Sequence, residues 1–322
     1  MQSLQRYEAF VKAAELGSFT RAAEALSYTQ SGVSRMIGEL ERAWGVRLLA
    51  RSRAGVHLTS EGERLIGQVR RVCAEQRRLE SLVEELNGMQ TGLIRIGTLS
   101  SMATHWLPTI VREFQQDYPN IDYELLLGDY LEIEQWVLDG RVDCGFLRLP
   151  AHAHLQTTFL ARDRMLAVLP EGHPLAELER VPLARLAEEP FLLLQKGAND
   201  EILQLFRAQG AMPDVRFTTW DDYAIMSMAE NGLGVSILPE LILRRCPYRI
   251  ALRELDPPSW RDIGVAVRSH EGLPLAVERF LRRSNSGKGR RMRRPNGSAS
   301  ASSAIWRGRG GCAEARRRAP AV

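Results

Sequence analysis

Residues 20–62 read TRAAEALSYTQSGVSRMIGELERAWGVRLLARSRAGVHLTSEG, and the spacing within this stretch decides the architecture of the amino-terminal end. Ala22, Ala23 and Leu26 share one face at helical spacing, the alanines being small enough to let another helix cross closely. Tyr28-Thr29 breaks the pattern. From Gln30 the apolar positions Val33, Met36, Ile37, Leu40 and Trp44 form a stripe that a core can cover, which leaves Gln30, Ser31, Ser34 and Arg35 off the stripe near the helix start. Amide, hydroxyl and guanidinium groups are those that hydrogen-bond base edges and phosphates, and helix-turn-helix proteins place the first residues of the second helix in the major groove. Val46–Leu49 and Gly55–Leu58 flank residues 50–54, so a basic hairpin carrying Arg51 and Arg53 is expected, with its tip on backbone phosphate. A helix pair alone would read as bundle core. Helix, turn, helix and basic hairpin in that order point to double-stranded DNA over residues 1–58.

Downstream, residues 59–90 predict one long helix from Thr59 to Asn87, capped by Thr59 or Ser60, with Glu61 and Glu63 in its first turn and Asn87-Gly88 as its stop. Leu65, Val69, Val72, Leu79, Val83 and Leu86 are spaced alternately by four and three, with Gln76 filling the missing step, which is a coiled-coil seam. The flanking Arg70, Arg71, Glu75, Arg77, Arg78, Glu80, Glu84 and Glu85 are too charged for a core. The seam therefore predicts a homodimer, the alternative being a long helix packed against its own domain.

Residues 91–283 alternate strands and helices. Strands are expected at 93–99, 121–127, 142–147, 165–169, 191–194, 215–218 and 235–238, and helices at 105–117, 130–138, 199–209, 221–230 and 275–283. Such alternation predicts an α/β fold with parallel sheets covered by helices. Crossings near 160–162 and 267–269 divide it into lobe I (91–161 and 268–283) and lobe II (162–267), a two-lobed clamp. Ligands of open parallel sheets bind beyond the carboxyl ends of the strands, where helix N-termini favour negative charge. The strand ends run into Ser100-Ser101 in one lobe and Lys196-Gly197-Ala198-Asn199 in the other, with Arg148 after a third strand. Ser100, Ser101, Arg148, Lys196, Gly197 and Asn199 are thus the candidate contacts for a small organic anion.

The chain's 322 residues carry a net charge of +4 that is unevenly placed. Residues 284–322 hold ten Lys and Arg against Glu314 alone, and residues 1–58 hold eight against five acids, so the middle of the chain is acidic. One end of the molecule is built to meet a polyanion. The Arg, Ser, Gly and Ala bias of residues 284–322 cannot build a core and predicts a disordered basic tail. No membrane span is seen, and the first helix, with Arg6, Glu8 and Lys12, does not resemble a signal peptide, so a cytoplasmic protein is expected. Cys73, Cys144, Cys246 and Cys312 lack metal or redox-pair spacing. No metal or cofactor is expected. Without a P-loop, a GxSxG elbow, an HExxH motif or a dinucleotide fingerprint, an enzyme is not expected either.

Gly17-Ser18-Phe19, Ala22-Ala23, Gln30, Ser34-Arg35, Leu40-Glu41, Gly45, Leu48, Arg51, Leu58-Thr59 and Gly62, behind a helix carrying Phe10 and Val11, closely resemble the N-terminal domain of the LysR-type transcriptional regulators. Leu49 stands where that family usually has Phe, and Ser31 where Pro is common. The resemblance implies a winged helix-turn-helix, a dimerising linker helix, a periplasmic-binding-protein-like effector domain extending to about residue 283, and assembly into dimers or homotetramers. It further implies transcription regulation at an interrupted palindrome through contact with RNA polymerase. The cysteine spacing gives no support to the peroxide sensing known in some members.

Overall fold

The computed structural model describes residues 2–53, 55–86, 91–195 and 201–291. Three helices open the chain: α1 (Gln2–Leu16), α2 (Phe19–Leu26) and α3 (Gln30–Trp44). Ser18 caps α2, its hydroxyl accepting from Arg21 N, and the helix ends at Ser27 in the left-handed region. Thr29 caps α3 by accepting from Gly32 N at 3.1 Å, so the break at Tyr28-Thr29 is the turn between the helices. Val33, Ile37 and Leu40 are buried with Phe10, Ala13, Ala22 and Ala23, whereas Trp44 stays 37% exposed and stacks on Tyr7. Strands β1 (Leu49–Ser52) and β2 (Gly55–Leu58) then pair antiparallel, Leu49 opposite Leu58 and Ser52 opposite Gly55.

The long helix α4 spans Ser60–Leu86. Thr59 caps it, accepting from Gly62 N at 3.0 Å while donating to Arg47 O at 2.6 Å. A Cβ on Gly62 would lie 2.2 Å from the Leu48 carbonyl oxygen, so the helix starts hard against the wing. The predicted seam is divided. Ile66, Val69 and Cys73 are buried against α1, with Leu65 half-buried beside them, because the first turns of α4 complete the core of the amino-terminal domain. Val69 is therefore withdrawn from the seam by its own domain. Val72, Leu79 and Val83 stay exposed, joined by Leu82. The Leu86 side chain lies outside the described residues.

Nor is the charged flank of α4 simply solvated. Arg71 Nε donates to Leu138 O at 3.2 Å and Arg77 Nη2 to Gly140 O at 3.0 Å, while Arg78 and Glu75 engage Glu271 and Arg268. Arg70 lies 3.8 Å from Glu15 of α1 and 3.9 Å from the buried Asp139. Burial pushes the pKa of Arg70 and Arg77 down from the usual guanidinium value. Long cationic stems can cover apolar surface while their heads find carbonyls and carboxylates, which is why charge alone did not keep this face in water.

The remainder forms two lobes. In chain order come β3 (Gly92–Thr98), α5 (Ser100–His105), α6 (Leu107–Gln115), β4 (Ile121–Leu127), α7 (Tyr130–Leu138), β5 (Cys144–Leu149), β6 (Gln156–Pro170), β7 (Arg180–Pro182), α8 (Leu183–Ala187) and β8 (Pro190–Leu194). They are followed by α9 (Glu201–Ala208), β9 (Asp214–Thr219), α10 (Asp222–Glu230), β10 (Ser236–Pro239), α11 (Glu240–Leu243), β11 (Ile250–Val267) and α12 (Leu275–Arg291). The principal sheet has the order β10-β6-β11-β5-β3-β4, with β7 beside β11. It is mixed rather than parallel: β3 pairs parallel with β4 and β5, but β6, β10 and β11 pair antiparallel.

That mixture arises because β6 and β11 run through both lobes. Their paired register extends from Gln156–Val267 at one end to Pro170–Ile250 at the other. Ile263, Val265, Ala266 and Val267 belong to the lobe I core beside β5, so the return crossing lies near Asp262-Ile263, earlier than 267–269. Lobe II packs around Phe191, Phe206 and Leu169 on one side of its strands and Ile225, Met226 and Leu238 on the other. The last helix returns to lobe I, where Phe280 meets Phe114 edge-on at 5.5 Å. It continues past the expected end at residue 283 to Arg291, and Ser284 is fully buried, so residues 284–291 are helical rather than tail. Residues 292–322 lie outside the described residues.

Candidate functional site

The amino-terminal surface presents the residues singled out above as one patch. Burial of Val33, Ile37 and Leu40 fixes the rotation of α3, and this leaves Gln30, Ser31 and Arg35 exposed and Ser34 half-buried near its start. Among the described residues Arg35 has only the loose ion-pair neighbour Glu39, at 3.8 Å, with its own side chain 77% exposed. Arg51 reaches back from β1: its Nη2 donates to Ser34 Oγ at 2.9 Å and its guanidinium lies 4.4 Å from the Phe19 ring centre. Arg53 stands exposed at the hairpin turn. Glu41 Oε1 accepts from the backbone N–H groups of Leu48 and Leu49, at 2.7 and 3.1 Å, so α3 and the wing are held in fixed relation. The arrangement can offer donors and acceptors from one helix end and cations from the wing to a groove and its flanking phosphates.

The second candidate site is the cavity between the lobes, lined by Leu99, Ser101, Asp129, Tyr130, Met165, Leu194, Glu201, Ile202, Asp222, Pro239 and Arg261. At its floor Arg261 donates through Nε and Nη2 to Asp163 Oδ2, at 3.0 and 2.8 Å, through Nη1 to Tyr130 Oη at 3.1 Å, and through Nη2 to Ser101 Oγ at 3.1 Å. Both charged side chains of this pair are almost wholly buried. Burial opposes the charge on Arg261, but Tyr130 and Asp163 outweigh it and hold the guanidinium more firmly protonated than usual. Burial also pushes the Asp163 carboxyl up and the Tyr130 phenol up.

Ser101 does reach the cavity, yet its hydroxyl is engaged by Arg261, and Ser100 beside it is half-buried. The two serines do not cap a helix from outside, because α5 begins at Ser100 with Leu99 as its N-cap. Arg148 is near the cavity too, paired with Glu201 at 3.0 Å and 5.6 Å from the Tyr130 ring centre. Lys196, Gly197 and Asn199 lie outside the described residues. Sequence reasoning missed Arg261, Asp163, Tyr130 and Glu201. The available signal was a charged triplet, Arg162-Asp163-Arg164, set directly before an apolar strand run, and its counterpart Arg261-Asp262 before another.

Among the described residues no group of three His, Cys, Asp or Glu could hold a metal ion, and no helix is long and apolar enough to cross a membrane. Cys73 and Cys144 are buried and Cys246 is half-buried.

Comparison with known proteins matches residues 4–63 to the bacterial regulatory helix-turn-helix protein family of lysR type, and residues 87–286 to the LysR substrate binding domain. The chain is 33% identical over 282 residues to the HTH-type transcriptional regulator YvbU of Bacillus subtilis, covering 87% of this chain and 96% of that protein. It is 34% identical over 274 residues to a probable HTH-type transcriptional regulator, LrrA, of Synechococcus elongatus, covering 83% of this chain and 91% of that protein. The solved structure of full-length CbnR complexed with its target DNA shares the fold, with a TM-score of 0.61 at 23% identity, over 87% of this chain and 99% of that one. The chain belongs to the LysR family of DNA-binding transcriptional regulators, which are not enzymes, and carries that family's effector-binding domain.

Proposed function

We propose that this regulator reads its operator through Gln30, Ser31, Ser34 and Arg35 of α3, with Arg53 at the wing tip on phosphate and Arg51 bracing Ser34. The observation that carries the reading is the exposed polar start of α3 opposite the buried Val33, Ile37 and Leu40, with Glu39 at 3.8 Å the one ion-pair neighbour of Arg35 among the described residues. Two copies joined along the exposed Val72, Leu79 and Val83 of α4, and further into a tetramer, would set two such helices on the half-sites of a palindrome. CbnR, whose fold the chain shares, has been solved on its target DNA. The protein acts in the cytoplasm, where it meets DNA and RNA polymerase.

The effector is a small organic anion held between the lobes, near Ser100, Ser101 and Arg148, with Lys196, Gly197 and Asn199 supplied by the facing loop. Support comes from the Ser101 hydroxyl in the cavity lining and from the Arg148 guanidinium, held beside the cavity by its pair with the lining residue Glu201. The ligand acts by its differential affinity for two lobe arrangements, and DNA must alter ligand affinity reciprocally. Binding of the full chain to its own upstream DNA and to scrambled DNA over a salt series tests the first half. Equal affinity for both at every salt concentration would remove the sequence-reading function.

A further inference from the structure

Arg148 and Glu201 form an ion pair from lobe I to lobe II, beside the cavity that Glu201 lines. Arg148 sits near the end of β5 in lobe I and Glu201 begins α9 in lobe II, and their side chains keep only 26% and 18% of their exposure. The Tyr130 hydroxyl, also from lobe I, lies 3.5 Å from the other oxygen of the same carboxylate and accepts from Arg261 on its far side. A guanidinium and a phenol therefore converge on one carboxylate, which is the donor set of a carboxylate receptor. Arg261 cannot serve as the receptor's cation in the same way, because Asp163 already matches its charge by two hydrogen bonds. The Arg162–Asp262 pair joins cross-strand neighbours at 2.7 Å and has no bearing on the cleft. Arg148–Glu201 joins bodies that β6 and β11 connect, so it can open without unfolding either lobe.

We propose that Glu201 is a built-in stand-in for the effector's carboxylate: the effector takes Arg148 and the Tyr130 hydroxyl by displacing it, and lobe II is released from this contact with lobe I. The proposal rests on the reading of the cleft as the effector site and adds what occupies that site when the effector is absent. Apparent effector affinity is then lowered by the fraction of molecules whose Arg148 is already taken. A carboxylic acid is the class of ligand that fits, and an amine is not.

The test uses the full chain and acetate, the smallest carboxylate that can replace the Glu201 side-chain group. Melting temperature is followed against acetate, with chloride and methylammonium at equal ionic strength as controls. Glu201→Ala should respond to acetate at a concentration about fivefold lower than the wild type, the amount by which a partly exposed ion pair competes. Glu201→Gln, which keeps the volume, should shift in the same direction. Adding Arg148→Gln to either should abolish the response. An acetate response no stronger in both Glu201 variants than in the wild type overturns the proposal, as does one that survives the loss of Arg148. Stabilisation of the wild type by methylammonium that disappears in Glu201→Gln would make Glu201 a receptor for cations and overturn it as well. Operator preference of the wild-type chain, measured separately, decides the regulator reading, so the two can fail independently.

Discussion

At the start of α3, Gln30, Ser31 and Arg35 are exposed, Ser31 meeting the Thr29 hydroxyl at 3.2 Å and Arg35 lying 3.8 Å from Glu39, whereas in the cleft Arg261, Asp163, Tyr130 and Ser101 are each engaged by another member of the group. The first region leaves its polar groups open for a partner whose own groups will complete them. The second has completed itself, and a ligand there must compete with existing bonds. Substitution should therefore separate the two: changes in the cleft floor should alter stability, and changes on the DNA face should alter recognition.

The largest effect is expected at Asp163. Asp163→Ala leaves the Arg261 guanidinium buried without its carboxylate, which costs about 3–5 kcal/mol for a buried pair broken on one side. Chemical denaturation of the full chain should show the loss as a lower midpoint. A loss within experimental error would mean that the pair is hydrated and that the contrast between the two regions fails.

Next come Gln30→Ala and Arg35→Ala, each expected to reduce preference for operator over random DNA by about 1–3 kcal/mol if the contact is bidentate to a base. Their denaturation midpoints should match the wild type. A drop in stability would show that the face is not open but structural.

Arg53→Ala should weaken binding to all sequences alike and lower the salt slope by about one unit, since a phosphate contact releases about one counterion. An effect confined to the operator would instead place Arg53 on a base.

The smallest effect concerns Cys73, the one described cysteine in the DNA-binding core. Burial pushes its thiol up to about 11 from the ordinary 9.0. Because the folded value is the higher, the contribution to stability is complete below pH 9 and is lost as the pH rises from 9 to about 11. Iodoacetamide should label Cys73 at pH 8 far more slowly in the native chain than in the denatured one. Equal rates would show that the core around α1 and α4 opens freely.

The same contrast explains what could be seen in the amino acids alone. Val33, Ile37 and Leu40 lie within one helix, so their period fixes which side of Gln30 and Arg35 faces outward. Arg261 and Ser101 are 160 positions apart, and Arg261 and Asp163 are 98 apart, so no local spacing joins them. Only the closing of β6 against β11 does. The α4 seam was half legible for a related reason. A four-and-three spacing states that a stripe is apolar but not what covers it, and Val69 is covered by α1 while Val72 and Leu79 are not. At the other end, composition predicted disorder from residue 284, but the Glu278–Arg282 pair and the buried Ser284 belong to a helix already anchored by Phe280 and Leu281.

The direct abutment of Gly62 on the Leu48 carbonyl gives α4 the character of a lever. Its amino-terminal end cannot slide past the wing, and further along it is gripped by Leu138, Gly140 and Glu271 of lobe I. With 27 residues it is about 40 Å long. Over the arm of ~27 Å between the wing and the grip at Arg78, a tilt of about 7° carries the end about 3.3 Å, which is close to the ~3.4 Å step between neighbouring base pairs. A rotation of a few degrees is thus enough to change which base pair a recognition helix meets.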